Sequence, residues 1–125
     1  VIVGCGNVVG KPLAMLMFQR NATVTVCNEF TQQLGKECQG AEIIVAAAGV
    51  RKLIKADHVS PDCIVIDVGI NTDENGKLCG DVDFESAKEV ASYITPVPGG
   101  VGPMTITMLL ANTLESAERV AAAKK

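Results

Sequence analysis

Three glycines near the start of the chain, Gly4, Gly6 and Gly10, follow directly on the apolar run Val1-Ile2-Val3 and precede a helical pattern that begins near Pro12. The order is a short buried strand, a glycine turn and the start of a helix. It suits the binding of a pyrophosphate. Glycines let the backbone turn and approach the anion closely, and the amino end of a helix offers N–H groups and a partial positive charge. The spacing is GxGxxxG rather than GxGxxG, so the strand–turn–helix context, and not the spacing, supports the dinucleotide reading. A P-loop is excluded, because five residues separate Gly4 from Gly10 and Pro12 stands where Ser or Thr would hold magnesium.

A second constrained stretch runs Ile94-Thr95-Pro96-Val97-Pro98-Gly99-Gly100-Val101-Gly102-Pro103-Met104-Thr105. It reads as a strand, a rigid turn and the start of a long helix. Pro96 and Pro98 fix φ and remove two amide donors. Pro103 suits the first turn of a helix. A turn of this kind at the carboxyl end of a strand is where open α/β sheets bind ligands; the plain alternative is a tight connector.

Other polar residues are read both ways. Glu29 lies 23 residues after Gly6, about where a dinucleotide fold places an acid on the adenosine ribose, and it reads equally as a solvated glutamate at a strand end. Ala46-Ala47-Ala48-Gly49-Val50 has side chains small enough to leave room for a flat ligand, or simply closes a strand tightly. Asp67 can orient a loop or a ligand, but a structural carboxylate bonded to backbone amides is favoured, because a buried charge must be paired. His58 is the only histidine and is expected at the surface in a polar connection. The five cysteines, Cys5, Cys27, Cys38, Cys63 and Cys79, form no CxxC pair. They read as free thiols in a reducing compartment rather than a disulfide framework or a metal site.

The elements that position these residues alternate. Strands are expected at the start, at 22–27, 42–47, 63–68 and 94–97. Helices are expected at 12–20, where Leu13, Leu16 and Met17 form the packing face, and from Thr31 as cap to Cys38. A short turn is expected at 56–59 and further helices at 83–90 and 103–122. Ile106, Leu109, Leu110 and Leu114 are the packing face of the last helix, and 121–125 reads as a frayed end. Residues 71–80, centred on Asn75-Gly76, read as a hairpin. The alternation predicts an α/β fold: a Rossmann-like, three-layer α/β/α domain with a mostly parallel sheet.

With 125 residues, 48% hydrophobic and 20% charged, the chain is one globular domain, 1–125. A net charge of −3 with no basic patch speaks against nucleic acid. The apolar runs are too short to span a membrane. The chain opens without methionine and already inside a strand, as a trimmed domain or part of a larger protein would.

The glycine-proline stretch, together with Val8-Val9-Gly10-Lys11-Pro12, Val65-Ile66-Asp67-Val68-Gly69-Ile70-Asn71 and Gly80-Asp81-Val82, resembles the methylenetetrahydrofolate dehydrogenase/cyclohydrolase family in order and spacing. The resemblance covers essentially the whole chain, but only the carboxyl-terminal, NAD(P)-binding half of that family. It implies oxidation of 5,10-methylenetetrahydrofolate with NAD or NADP, often followed by hydrolysis to 10-formyltetrahydrofolate, in a cytoplasmic homodimer, with the mitochondrion left open as a location. It also implies that Gly4, Cys5 and Gly6 line the cofactor phosphates, that Glu29 faces the adenosine ribose, and that Ile70 contacts the cofactor. Ala48 and Gly49 join the cofactor-binding set, Thr105 lies near the nicotinamide, and Pro98, Gly99 and Gly100 border the folate cleft. The sequence departs from the family where Arg or a small residue, then Ser, often stand at positions 5 and 6, here Cys5 and Gly6, and where His, then Ser or Arg, often stand at 28 and 29, here Asn28 and Glu29. These neutral or acidic replacements, Cys5 and Glu29 above all, favour NAD. The family's Tyr-xxx-Lys catalytic pair is expected in an amino-terminal folate domain absent from this chain, because the only tyrosine, Tyr93, is followed four residues later by Val97. The alternatives are a stand-alone dinucleotide-binding module without catalysis, and a domain of an unrelated dehydrogenase, against which the glycine-proline stretch speaks.

Overall fold

The structure is a computed structural model that describes residues 1–124. Its strands are β1 (Ile2–Val3), β2 (Val26–Cys27), β3 (Ile43–Ala46), β4 (Ile64–Asp67), β5 (Asn71–Thr72), β6 (Leu78–Cys79) and β7 (Tyr93–Ile94). Its helices are α1 (Gly10–Gln19), α2 (Leu34–Cys38), α3 (Phe84–Ala87) and α4 (Val101–Ala123), with a 3-10 turn at Ala56–His58. Five strands form one sheet in the order β2-β1-β3-β4-β7, every neighbouring pair parallel. β5 and β6 form a separate antiparallel hairpin. The expected doubly wound α/β architecture is present.

Side chains that alternate along β3 divide the core in two. Ile44 and Ala46 face one side with Val3 and Val65, and there they meet Cys38 of α2, Ile54, Val59, Cys63, Val82 and Ala87 of α3. Val45 faces the other side with Ile2 and meets Ala14 of α1. Gly10 and Ala14, one turn apart on the same face of α1, are its two buried residues. A Cβ at Gly10 would lie 1.9 Å from the Gly4 carbonyl oxygen, so only glycine lets the helix sit this close to the turn.

Several boundaries differ from expectation. The β-branched run 22–27 contributes only Val26–Cys27 to the ladder, because β2 is an edge strand paired on one side. β7 begins at Tyr93 and ends at Ile94, short of the prolines that cannot donate to a ladder. α3 is a single turn. Thr31 does not cap α2, whose amino end is Gln33 in the left-handed region; its hydroxyl accepts the Asn28 N–H at 2.9 Å instead. Leu16 is exposed, whereas Leu13 packs with Ala14 against the sheet as expected. His58 is half-buried rather than a surface residue, and its Nδ1 accepts the Lys55 N–H at 3.2 Å. α4 is ordered helix through Ala123, and Lys125 lies outside the described residues. The largest difference is in α4: Ile106, Leu109, Leu110 and Leu114 are 62–67% exposed. The helix continues away from the sheet after the glycine-proline turn, and no described element covers that face.

Two aspartates lock the loops. Asp67, at the end of β4, is 4% exposed, and Asp81, after β6, is fully buried. The Asp67 carboxylate accepts N–H bonds from Gly69 (2.9 Å), Asp81 (3.0 Å) and Val82 (3.0 Å). It is the structural carboxylate that the sequence favours. Asp81 accepts from Ala48 (2.6 Å), Gly49 (2.8 Å) and the Asn71 side-chain amide (2.8 Å). Burial pushes the Asp67 carboxyl above its ordinary value, while its amide bonds pull in the other direction. Gly69 and Gly80 make room for the lock: a Cβ would come 2.2 Å from Asp81 Oδ1 in the first case and 1.9 Å from Asp67 Oδ2 in the second. Gly80→Ala is therefore expected to cost about 3 kcal/mol of stability, the upper end for overpacking. Gly76→Ala, in open space at φ +76°, should cost about 1 kcal/mol from backbone strain alone. Urea denaturation of both variants measures this; equal losses would show that the lock tolerates displacement.

Candidate functional site

All five strands of the main sheet are parallel, so their carboxyl ends share one edge. Each candidate residue follows one of those ends. The Gly4–Gly10 turn follows β1, Glu29 follows β2, Ala48 and Gly49 follow β3, Ile70 follows β4, and Pro98, Gly99 and Gly100 follow β7. The chain leaves β1 toward β2 on one side and returns to β3 on the other. That reversal, beside the ends of β1 and β3, is the usual ligand position in such sheets, where a crevice is expected.

The glycine turn has the properties of a phosphate cradle. Gly4 has φ +109°, and a Cβ there would lie 2.2 Å from the Ala47 carbonyl oxygen. The β1 and β3 loops thus press together at their base. A Cβ at Gly6 would meet nothing within 4 Å, so the backbone is bare toward the crevice. α1 begins without a side-chain cap and without an acid in its first turn, which leaves its positive end available to an anion. The Lys11 ammonium donates to Asn7 Oδ1 at 2.8 Å, keeping a cation beside the turn. Cys5 and Val9 are half-buried, and Val8 is 90% exposed.

On the flank of this cradle the end of β2 is tied to β1 by the Gly4 N–H bond to the Cys27 carbonyl, 2.9 Å. The following turn, Asn28 to Thr31, is fixed by its own polar groups. Asn28 Oδ1 accepts the Phe30 N–H (3.0 Å), Thr31 Oγ1 accepts the Asn28 N–H, and the Thr31 N–H donates to the Asn28 carbonyl (3.1 Å). Glu29 and Phe30 stand exposed on this turn. On the other flank, the Ala48 and Gly49 amides are engaged by Asp81, so these residues can line the crevice but not donate to a ligand. Ile70 is 78% exposed beside them.

The glycine-proline turn has a cis peptide between Val97 and Pro98, and Gly99 has φ +100°. A Cβ at Gly99 would meet nothing within 4 Å, so the angle, and not crowding, calls for glycine. Gly100 is crowded instead: a Cβ there would lie 2.5 Å from the Pro96 carbonyl oxygen. Thr105 is exposed on α4, its hydroxyl donating to the Val101 carbonyl at 3.2 Å. Among the described residues no cluster of three His, Cys, Asp or Glu side chains can hold a metal ion, and all five cysteines are free. Burial pushes the Cys38 thiol up to about 11 and raises Cys27 and Cys63 as well. No helix of the described residues is long and apolar enough to cross a membrane.

Reasoning from sequence gave no role to Asp81 or to Phe30, and it placed Glu29 at the ribose without seeing that Asn28 and Thr31 tie the turn that carries it. For the turn a signal existed: Asn and Thr three residues apart after a strand can bond each other's backbone.

A doubly wound parallel sheet with a bare glycine turn and an uncapped helix at its point of reversal defines a dinucleotide-binding domain. Residues 1–121 match the family model of the tetrahydrofolate dehydrogenase/cyclohydrolase NAD(P)-binding domain, and the chain belongs to that family. The bifunctional protein FolD of Cupriavidus necator is 64% identical over 121 residues, 97% of this chain and 43% of that protein. The solved bifunctional FolD methylenetetrahydrofolate dehydrogenase/cyclohydrolase of Campylobacter jejuni is 51% identical with a TM-score of 0.92, over 94% of this chain and 42% of that one. The Trypanosoma brucei methylenetetrahydrofolate dehydrogenase-cyclohydrolase, complexed with NADP and an inhibitor, is 40% identical with a TM-score of 0.87, over 96% and 43%. The chain therefore spans less than half the length of these relatives.

The open space at Gly6 sets up a test that separates site from fold. Gly6→Val is expected to change stability by less than about 0.5 kcal/mol, as surface substitutions do. It should weaken nicotinamide dinucleotide binding at least tenfold, about 1.4 kcal/mol, by pushing the phosphate off the backbone. Calorimetric titration with thermal melts measures both, and an unchanged affinity would place the phosphate elsewhere.

Proposed function

We infer that this chain is the cofactor-binding half of a bifunctional methylenetetrahydrofolate dehydrogenase/methenyltetrahydrofolate cyclohydrolase, working with an amino-terminal folate domain that carries the catalytic Tyr-xxx-Lys pair. The observation that carries this inference is the pairing of an intact phosphate cradle with a chain that covers 43% of its curated relative. The uncovered apolar face of α4 supports it, since Ile106, Leu109, Leu110 and Leu114 provide a surface for such a domain. The bound cofactor supplies the hydride acceptor. The residues of this chain hold and orient it: Gly4, Cys5, Gly6, Val8 and Val9 at the diphosphate, Glu29 at the adenosine ribose, and Ala48, Gly49 and Ile70 along the crevice. Pro98, Gly99 and Gly100 border the cleft where folate meets the nicotinamide, with Thr105 beside it. By the same inference the protein acts on a folate as a cytoplasmic homodimer.

NAD is the preferred cofactor in this account. The 2′-phosphate of NADP brings about two negative charges, normally met by Arg or Lys. The Asn28–Thr31 turn carries no cation and one carboxylate, Glu29. Cys5 is a weak donor, and Lys11 is held on Asn7. A carboxylate accepts hydrogen bonds from the ribose hydroxyls of NAD and repels a phosphate.

The full-length enzyme is expected to favour NAD over NADP about tenfold in kcat/KM, or about 1.4 kcal/mol, and Glu29→Ser with Cys5→Arg should shift the ratio toward NADP. A parent that favours NADP, or a double variant that shifts nothing, would show that these positions do not read the ribose. The 125-residue chain alone is expected to form no methenyltetrahydrofolate from the methylene substrate with either cofactor, as followed by absorbance. Turnover that tracks the purified chain would contradict the division of labour.

A further inference from the structure

We propose that Asp81 is a positioning residue for hydride transfer: its buried carboxylate holds two walls of the crevice, Ala48–Gly49 and Ile70–Asn71, in one fixed relation. The proposal rests on the cofactor reading above and extends it to a group too deeply buried to touch a ligand. Asp81 Oδ2 accepts the Ala48 N–H at 2.6 Å and the Gly49 N–H at 2.8 Å. Asp81 Oδ1 accepts from the Asn71 side-chain amide at 2.8 Å. The wall after β3 therefore hangs on one oxygen, and the wall after β4 on the other.

The backbone of the same residue closes the far end of the first wall. The Ile54 N–H donates to the Asp81 carbonyl at 3.1 Å, and the Ile54 carbonyl accepts the Asp83 N–H at 2.7 Å. Residues 48–54 thus begin on the Asp81 carboxylate and end on its main chain. The second wall is gripped on both sides of the exposed Ile70. The Gly69 N–H donates to Asp67 at 2.9 Å, and the Asn71 side chain donates to Asp81. The Asp81 N–H donates to Asp67 as well, at 3.0 Å, so both walls share one frame. Among the described residues, the ion pairs that also join these segments are Arg51–Glu74 and Lys52–Asp83, both at 3.4 Å and each with an exposed partner. Pairs of that kind contribute little.

Strand order puts the two walls between the ends of the proposed reaction path. The phosphate cradle follows β1, the glycine-proline turn follows β7, and the ends of β3 and β4 lie between them. A cofactor held by its diphosphate at the first and meeting folate at the second lays its nicotinamide over the loops that Asp81 joins. Displacing reacting atoms by about 1 Å can lower a rate on the order of 100-fold. The relation of the walls therefore governs turnover, while the glycine turn still holds the ADP half.

The test uses the full-length protein. Asp81→Ala would strand the Ala48, Gly49 and Asn71 donors together and endanger the fold, whereas Asn71→Ala releases one wall and leaves the other held. Asn71→Ala is expected to lower the dehydrogenase kcat about tenfold, the scale of a small displacement of reacting atoms. Two readouts separate this from general damage. Hydrolysis of methenyltetrahydrofolate without added cofactor moves no hydride, and its rate should stay within about twofold of the parent. The affinity for ADP-ribose, which lacks nicotinamide, should do the same. Asp81→Asn is the conservative rescue: its amide oxygen accepts the Ala48 and Gly49 N–H groups, and its NH2 donates to Asn71, whose own amide turns over to accept. It should keep at least about half of the parent dehydrogenase kcat. A dehydrogenase kcat within twofold of the parent in Asn71→Ala, a parallel fall of both activities, or an Asp81→Asn as slow as Asn71→Ala would overturn the proposal and leave the cofactor reading standing. A parent with no dehydrogenase turnover on either NAD or NADP would overturn both.

Discussion

Two carboxylates buried side by side at the carboxyl edge, with no cation paired to either among the described residues, set the terms for the rest of the molecule. A charge in that position is costly unless its lone pairs are filled. Here they are filled almost entirely by backbone N–H groups. Asp67 gathers the amides of Gly69, Asp81 and Val82, and Asp81 gathers those of Ala48 and Gly49 together with the Asn71 side chain. The segments after β3, after β4 and after the β5–β6 hairpin are thereby held to one another rather than to solvent. Thr95, ahead of the glycine-proline turn, joins through its hydroxyl, which accepts the Asp67 N–H at 2.8 Å. Removing either carboxylate would strand several buried donors at once, each at about 1–3 kcal/mol.

That lock divides the edge into two kinds of backbone. On the β3 and β4 side the amides near the crevice are already engaged, so the surface offered to a ligand is side chain and shape: small residues at Ala48 and Gly49, and the exposed Ile70. On the β1 and β2 side the backbone is open at Gly6 and α1 begins without a side-chain cap, while the Gly4 and Lys11 amides are bonded to the Cys27 and Gly6 carbonyls and the polar side chains of Asn28 and Thr31 hold a neighbouring turn in place.

How much of this is legible in the sequence depends on how local the cause is. The strand–glycine–helix start and the hairpin at Asn75-Gly76 follow from residues within a few positions of one another, and each stands where the sequence places it. Asp67 was readable as a structural carboxylate from its setting in an apolar strand, but its partner Asp81 lies 14 residues on, and nothing local marks it. The run Ala22 to Cys27 reads as a six-residue strand because β-branched content does not say whether a strand has one neighbour or two; as an edge, it pairs over two residues. α4 is the clearest case. Its apolar stripe at 106, 109, 110 and 114 has the period of a packed helix, but periodicity names a face and not the surface that meets it. The same pattern serves a helix that docks on its own sheet and one that meets another domain.

The central claim is that the cofactor lies across the ends of β1 and β2, with the amides after β3 reserved for Asp81. It is tested most directly by following every backbone amide resonance of the isotopically labelled chain as NAD is added. The account predicts the largest shifts at Cys5 to Gly10 and at Asn28 to Thr31, smaller ones at Ile70, and none at the amino-terminal ends of β3 and β4 around Ala41 and Asp62. Shifts centred on those amino-terminal ends, with the glycine turn and the Asn28–Thr31 turn unmoved, would contradict it.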